Sequence, residues 1–354
     1  MRKNRVVVAM SGGVDSSVAA ALLKDAGYEV IGITMQIWPR QGETWDRPGG
    51  CCGLEAVDSA KQVAYKLNIR HYVLNLRDIF AQKVIADFYQ EYNRGRTPNP
   101  CIRCNQHIKF DTLLTRAKEL DASFLATGHY ARIEQTLKGY QLLKAVDPSK
   151  DQSYFLYILT QKELKHLLFP IGNLHKKEVR KLASELGLPT ANRRASQDIC
   201  FIPDNDYRNF LEEYIAPLPG DIVDTKGNVT GKHNGLVNYT IGQRQGLGLT
   251  SNKRLYVLKL DAAKNRVIVG NREQLLNNAL IADQLSWVSG NAPETHTEVT
   301  ARIRYKAPEV SAALSTDNGI TRVQFKQPQS AIAPGQAVVF YHGGIVLGGG
   351  IIEG

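Results

Sequence analysis

A chain of 354 residues, 43% hydrophobic and 22% charged, has room for two or three buried cores and the composition of an ordinary globular protein, not of a disordered or fibrous one. No apolar run is long enough to span a bilayer. The basic start Met1-Arg2-Lys3-Asn4-Arg5 leads only into the short run Val6 to Met10, so neither a membrane span nor a signal peptide is expected and the protein is expected in the cytoplasm. Lys and Arg number 44 against 34 Asp and Glu, a net charge of +10 that a polyanionic partner such as nucleic acid would explain.

In chain order, residues 5–10 (RVVVAM) read as a buried strand and 15–26 as a helix. Residues 29–35 (EVIGITM) read as a second strand, 54–68 as an amphipathic helix and 71–76 as a third strand. A longer helix is expected over about 78–93 and a further strand over 123–128 (SFLATG). Strands alternating with helices argue for an α/β domain with a parallel sheet covered on both faces. The pattern changes near residue 205. Residues 207–215 read as one last helix, then come short strands and turns, with a hairpin at 253–270. From about 298 onward only strands are expected (300–305, 322–326, 337–341, 346–352), punctuated by Gly and Pro as in small barrels. The expected domains are 1–205 (catalytic), 206–272 (small, mixed or β) and 273–354 (β-barrel-like).

The most specific motif is Ser11-Gly12-Gly13-Val14-Asp15-Ser16-Ser17, directly between the first strand and the first helix. A loop there aims backbone N–H groups and a helix N-terminus at one spot, which suits phosphate. Gly12 and Gly13 permit close approach and unusual dihedrals, and the three serines add hydroxyl donors. Asp15 fits an anion site if it holds a divalent cation that bridges phosphates. No G-x-x-x-x-G-K-[ST] occurs, so this is not a Walker loop. It resembles the PP-loop of N-type ATP pyrophosphatases, which implies ATP with Mg²⁺, cleaved between the α and β phosphates. The competing reading is a Gly-Gly turn with a Ser or Asp helix cap.

Five cysteines are present: Cys51, Cys52, Cys101, Cys104 and Cys200. Cys101 and Cys104 lie in Thr97-Pro98-Asn99-Pro100-Cys101-Ile102-Arg103-Cys104-Asn105, where two prolines restrict the backbone. Arg103, Lys109 and a nearby helix N-terminus favour thiolate there. Cys200 sits in an apolar, strand-like run, Ser196-Gln197-Asp198-Ile199-Cys200-Phe201-Ile202. Three readings stay open: a catalytic pair Cys104 and Cys200, one carrying a persulfide; a zinc site, or its variant, an iron–sulfur cluster on Cys101, Cys104 and Cys200; or a plain buried Cys200.

Taken together these residues resemble the bacterial tRNA-specific 2-thiouridylases, the MnmA/TrmU family. The motifs are AMSGGVDS (9–16), GRTPNPCIRCNQHIKF (95–110), ATGHY (126–130), KDQSYFLY (150–157), DICFI (198–202), TIGQRQGLG (240–248) and GGGIIE (348–353), in order over nearly the whole chain. The resemblance implies that Ala9, Met10, Ser11, Gly12, Gly13, Val14, Asp15, Ser16, Met35 and Gly128 hold ATP. It implies Cys104 as catalytic cysteine, Cys200 as persulfide carrier, and a Cys104–Cys200 disulfide reopened by an outside reductant. Asn99, Pro100 and Cys101 would face the target base. His129, Lys150, Asp151, Gln152, Arg304, Tyr305 and Gln336 would touch tRNA. A persulfide carrier or cysteine desulfurase is implied as sulfur donor. Some relatives carry Asp where this chain has Cys101. With Cys there the carboxylate's role is dispensable, or falls to Asp15, to water or to a Cys101 thiolate. Without the resemblance, Asp151 or Ser153 would read as a helix cap and His129 as a structural histidine. Arg302, Arg304 and Lys306 alternate, so they are expected to share one strand face towards tRNA. Rival readings are another PP-loop enzyme, such as an amidating ligase or tRNA lysidine synthase, and a nucleic-acid binding module on a relic nucleotide fold.

Overall fold

A computed structural model describes residues 2–38, 54–193, 199–202, 206–212, 214–249, 254–294, 296–317 and 319–353. Cys51, Cys52, Ser196, Gln197, Asp198 and the start of the expected 253–270 hairpin lie outside the described residues.

The first sheet holds β1 (Arg2–Ala9), β2 (Glu29–Gln36), β3 (Arg70–Asn75), β4 (Ala122–Ala126) and, after a hairpin of β5 (Ala131–Thr136) and β6 (Gly139–Lys144), β7 (Leu167–Leu168). Its order is β3-β2-β1-β4-β7 and every pairing is parallel. Val6, Val7 and Val8 are fully buried, as in a strand covered on both faces. Val6 and Val8 pack with Val18, Val63 and Val179 from the helices Val14–Asp25, Leu54–Lys66 and Lys176–Glu185. Val7 and Ala9 point the other way, against Leu113, Leu114 and Tyr157. The period-two alternation of strand side chains makes this division. The strand order reverses between β1 and β4, and the crevice outside the carboxyl ends at such a reversal is where α/β sheets bind ligands. The loop of residues 10–13 follows β1, and Gly128 follows β4.

The expected helix over 78–93 is one unbroken helical run, Arg77–Phe80, Ala81–Ile85 and Ala86–Asn93, whose middle segment is a π turn. A second run, Pro100–Arg103, Cys104–Leu113 and Leu114–Glu119, also opens into π geometry, beginning at Cys104. Such π segments often mark functional sites.

The small central sheet is mixed. It joins β8 (Gly220–Val223), β9 (Val229–His233), β10 (Tyr256–Asp261) and β11 (Arg266–Gly270) in the order β10-β11-β8-β9, with only β8 and β11 parallel. The last six strands are β12 (Leu276–Trp287), β13 (Thr297–Arg302), β14 (Val310–Asp317), β15 (Ile320–Ser330), β16 (Ala337–His342) and β17 (Ile345–Ile352). They run β12-β15-β14-β13-β16-β17, and the β12–β17 pairing closes them into an antiparallel barrel. The free start of β17 pairs with β6, Ile345 opposite Leu143 and Val346 opposite Leu142, so a hairpin from within the first 205 residues extends the barrel sheet.

The expected basic strand face does not exist. β13 ends at Arg302, and the chain then turns, with Ala307 N donating to Arg304 O at 3.0 Å. Arg304 and Lys306 are exposed, whereas Arg302 turns inward. Its guanidinium meets Glu309 at 2.8 Å and Asp151 at 3.4 Å, and Lys144 from the hairpin reaches Glu309 at 2.7 Å. Side-chain exposures of 15% for Arg302 and 4% for Asp151 put this network under the barrel–sheet junction. Arg302→Met leaves the buried Asp151 without its cation while Glu309 keeps Lys144, and it is expected to cost about 3 kcal/mol, read as a lowered urea midpoint. A midpoint unchanged from wild type refutes a structural role for the network.

Candidate active site

The loop after β1 sets a phosphate-sized nest. Gly12 has φ +68, and a Cβ there would lie 2.3 Å from Ala56 O, so the chain has no space for a side chain. The helix Val14–Asp25 starts at Gly13 without any side-chain cap, leaving its first N–H groups open to an anion. The Ser16 and Ser17 hydroxyls instead turn back on Gly13 O at 3.1 and 2.8 Å, and Ser11 N donates to Ser16 Oγ at 3.2 Å. Gly128 abuts the same turn, since its Cβ would fall 2.7 Å from Ser16 N. Gly12→Ala forces both a left-handed residue and a backbone clash. It is expected to lower ATP affinity at least about tenfold or to prevent folding. Wild-type ATP affinity in a folded Gly12→Ala variant refutes the nest.

Asp15 lies at the mouth of this nest in a tight ion pair. Lys176 Nζ is 2.6 and 2.7 Å from its two oxygens, and Tyr130 OH donates to it at 2.7 Å. Burial, then the neighbouring Asp15 charge, push the Tyr130 phenol far above its ordinary value, so it stays a donor. Arg193 braces the loop from behind, donating to Gly12 O at 3.0 Å and Ser59 Oγ at 2.6 Å. Tyr130 ends the ATGHY motif without an expected role there, and Lys176 and Arg193 do not stand out, because a single Lys or Arg in a polar stretch carries no spacing signal.

The cysteines converge on the same place. A cavity of about 310 Å³ is lined by every residue expected to hold ATP except Gly12, together with Pro100, Cys101, Cys104 and Cys200. Cys104 is buried, Cys101 exposed and Cys200 between the two. Cys200 lies in a turn, not the strand-like segment expected, with Ile202 N donating to Ile199 O at 3.1 Å. Phe201 anchors the turn in an aromatic cluster, its ring 5.4 Å from Phe80 and 5.5 Å from Phe88. Cys104 belongs to that cluster from the opposite chain segment. No three His, Cys, Asp or Glu side chains among the described residues form a metal-ligating group, so Cys101, Cys104 and Cys200 as placed do not fit the three-cysteine cluster.

Family models match three consecutive parts of the chain. One described as the tRNA methyl transferase HUP domain matches residues 4–204. One described as the tRNA methyl transferase PRC-barrel domain matches 208–271, and one described as the Aminomethyltransferase beta-barrel domain matches 277–352. The chain is 51% identical to the tRNA-specific 2-thiouridylase of Halothermothrix orenii, over 99% of each chain, and 51% identical to that of Acetivibrio thermocellus over the whole of both. The chain belongs to the tRNA-specific 2-thiouridylase family. A third relative, a tRNA-specific 2-thiouridylase of Caldanaerobacter subterraneus, is 52% identical over 99% of this chain and 98% of its own.

In this 2-thiouridylase family member the residues expected to touch tRNA are not placed alike. Pro100, Cys101, His129 and Gln152 line the cavity itself. Asn99, Lys150, Tyr305 and Gln336 are half-buried and are not part of its lining. Asn99 caps the helix that carries the cysteines, its side chain accepting from Cys101 N at 3.2 Å. Gln336 Nε2 donates to Thr97 O at 2.8 Å and Thr97 N to Pro334 O at 2.8 Å, so the barrel buttresses the cysteine loop. The Tyr305 ring packs 4.4 Å from that of Phe155. Arg304 is exposed. Asp151 differs from the expectation. It is 5% exposed, and its oxygens accept from Ala145 N, Ser153 N and Ser153 Oγ at 3.1, 3.2 and 2.9 Å besides Arg302, so the carboxylate orders the chain inside the protein and is not presented to a partner.

Proposed function

We propose that this enzyme is a tRNA-specific 2-thiouridylase that adenylates the C2 oxygen of a tRNA wobble uridine with ATP and replaces that oxygen with sulfur, releasing AMP and pyrophosphate. One observation carries the reading: a single cavity joins an uncapped, Gly-lined helix N-terminus to Cys104 and Cys200. The first is built for phosphate, the second for sulfur. The 2-thiouridylase names of relatives about half identical over full length support it.

The uridine enters this cavity flipped out of its stack, as base-modifying enzymes require. Residues 9–16, Met35 and Gly128 hold the nucleotide, and Asp15, now paired with Lys176, would hold Mg²⁺ when it binds with ATP. Mg²⁺ supplies neutralisation of the phosphate charge as it builds up. The C2 oxygen attacks the α-phosphorus and pyrophosphate leaves. A persulfide on Cys200 then attacks C2 and AMP leaves. Cys104 attacks the inner sulfur, closing a Cys104–Cys200 disulfide that an outside thiol reductant reopens. Nothing in the cavity mobilises sulfur from cysteine, so a persulfide-bearing protein delivers it. Residues 1–205 form the catalytic unit, 206–272 a spacer, and the 273–354 barrel with exposed Arg304 docks tRNA. The net charge of +10 suits that partner, and the site of action is the cytoplasm. No helix among the described residues is long and apolar enough to cross a membrane.

Nucleoside mass spectrometry tests the reading. Unmodified tRNA with a wobble uridine, ATP, Mg²⁺ and sulfide are incubated with the protein. ATP-dependent 2-thiouridine supports the proposal. A methylated nucleoside instead, or unchanged uridine without AMP release, overturns it.

A further inference from the structure

We propose that His129, oriented by Lys109, is the proton acceptor and donor for uridine N3 during the reaction; this rests on the function just proposed and deepens it. The chemistry demands such a group. When O2 attacks phosphorus, the ring keeps a neutral N3=C2 bond only if the N3 proton leaves. When the C2–S–S bond is cleaved by Cys104, the thiolated ring becomes 2-thiouridine only if N3 regains a proton. One group that takes the proton in the first half and returns it in the second closes the balance with no added acid or base.

Among the described groups lining the cavity, four can accept a proton besides the water that enters it: Asp15, His129, and Cys104 and Cys200 as thiolates, with Cys101 at the exposed rim. Asp15 is held on both oxygens by Lys176 and on one by Tyr130. Cys104 and Cys200 are committed to sulfur. His129 remains. Its Nδ1 lies 2.7 Å from Thr127 Oγ1, and its Nε2 is 3.4 Å from Lys109 Nζ, which is also bonded to Asn105 Oδ1 at 2.9 Å. An ammonium group only donates, so Nε2 carries the lone pair and Nδ1–H donates to Thr127. At 3.4 Å the Lys109 contact is long, and an incoming N3–H displaces it while Asn105 keeps the ammonium close. Burial between Phe110 and Phe169, and then the Lys109 charge, hold the imidazole well below its ordinary pKa, so it waits neutral. Lys109, mid-segment, and Cys104, at the start, share one helical segment, Cys104–Leu113, so the group that orients the imidazole and a sulfur-handling cysteine are carried by the same element.

The test uses tRNA with uridine or 5-fluorouridine at the wobble position. The fluorine acidifies N3–H and so relieves the need for a base. Single-turnover pyrophosphate release, ATP affinity and melting temperature are measured for wild type, His129→Gln and Lys109→Met. His129→Gln is expected to lose on the order of 100-fold or more in pyrophosphate release on uridine tRNA with ATP affinity unchanged, and to recover at least about tenfold of it on 5-fluorouridine tRNA. Lys109→Met is expected to move the acidic limb of the rate profile to higher pH, because a cation that suppresses imidazole protonation is gone. Equal losses of His129→Gln on both tRNAs overturn the proposal, as does pyrophosphate release within about threefold of wild type. A loss in Cys101→Ser that 5-fluorouridine repairs, with none repaired in His129→Gln, moves the proton to that thiol and also overturns it. Wild-type protein that makes no 2-thiouridine under any of these conditions sinks the underlying function instead.

Discussion

Cys200→Ser is expected to abolish 2-thiouridine formation from a protein persulfide donor, a loss on the order of 10³-fold or more, while adenylation of tRNA, read as ATP-dependent pyrophosphate release, continues. Serine is nearly isosteric with cysteine and cannot carry a persulfide. The turn that holds residue 200 is anchored by Phe201, whose ring packs at 5.4 Å on Phe80, so the substitution leaves the scaffold intact. The donor matters: free sulfide could attack the adenylated C2 without any cysteine, so the assay uses protein-bound persulfide. Cys104→Ser is expected to differ, leaving sulfur attached to Cys200 or to the base with no resolving thiolate. Undiminished thiolation by Cys200→Ser from a protein donor would show that sulfur reaches the base by another route.

Asp15→Ala is expected to lose adenylation and thiolation together, each by about 10²–10³-fold, as removal of one preorganised electrostatic partner typically does. Asp15 sits at the uncapped helix start, and it pairs with Lys176 at 2.6 Å. If Asp15 holds the divalent cation as proposed, its carboxylate would exchange the Lys176 ammonium for that ion, which would free Lys176 for the phosphates. The fold should survive, because the Lys176 amine keeps the Tyr130 ring within 5.7 Å. Measuring pyrophosphate release and 2-thiouridine on the same samples separates the steps. Full pyrophosphate release by Asp15→Ala excludes its metal role, and loss of thiolation alone places Asp15 after activation.

Much of the nucleotide site was readable because its demands are local. A positive φ at Gly12 and a missing cap at Gly13 are written in adjacent letters, and the strand before and helix after them follow from apolar periodicity. Cys104 and Cys200 were readable as chemistry but not as lining one cavity, since 95 residues lie between them and nothing local records their approach. The strand-like reading of 199–202 failed for a related reason: an apolar run says that side chains are buried, and a turn inserted into an aromatic cluster buries them equally well. Arg302, Arg304 and Lys306 alternate in sequence, but the strand that would have aligned them stops at Arg302.

The sequence by itself determined the α/β first half, the phosphate loop, the change to β structure near residue 205, and which cysteines and carboxylate are candidates for the chemistry. These follow from nearest-neighbour physics: dihedral freedom, caps, and the two periods of apolar residues. Only the tertiary structure decided that the β5–β6 hairpin extends the barrel sheet, that Asp151 is locked inside beneath Arg302, and that Arg193 grips Gly12 across 181 residues. It also decided that His129 Nε2 lies 3.4 Å from Lys109 Nζ in the cavity. Each of these depends on which faces meet when separate elements pack, and burial and pairing across such faces leave no fixed spacing in the chain.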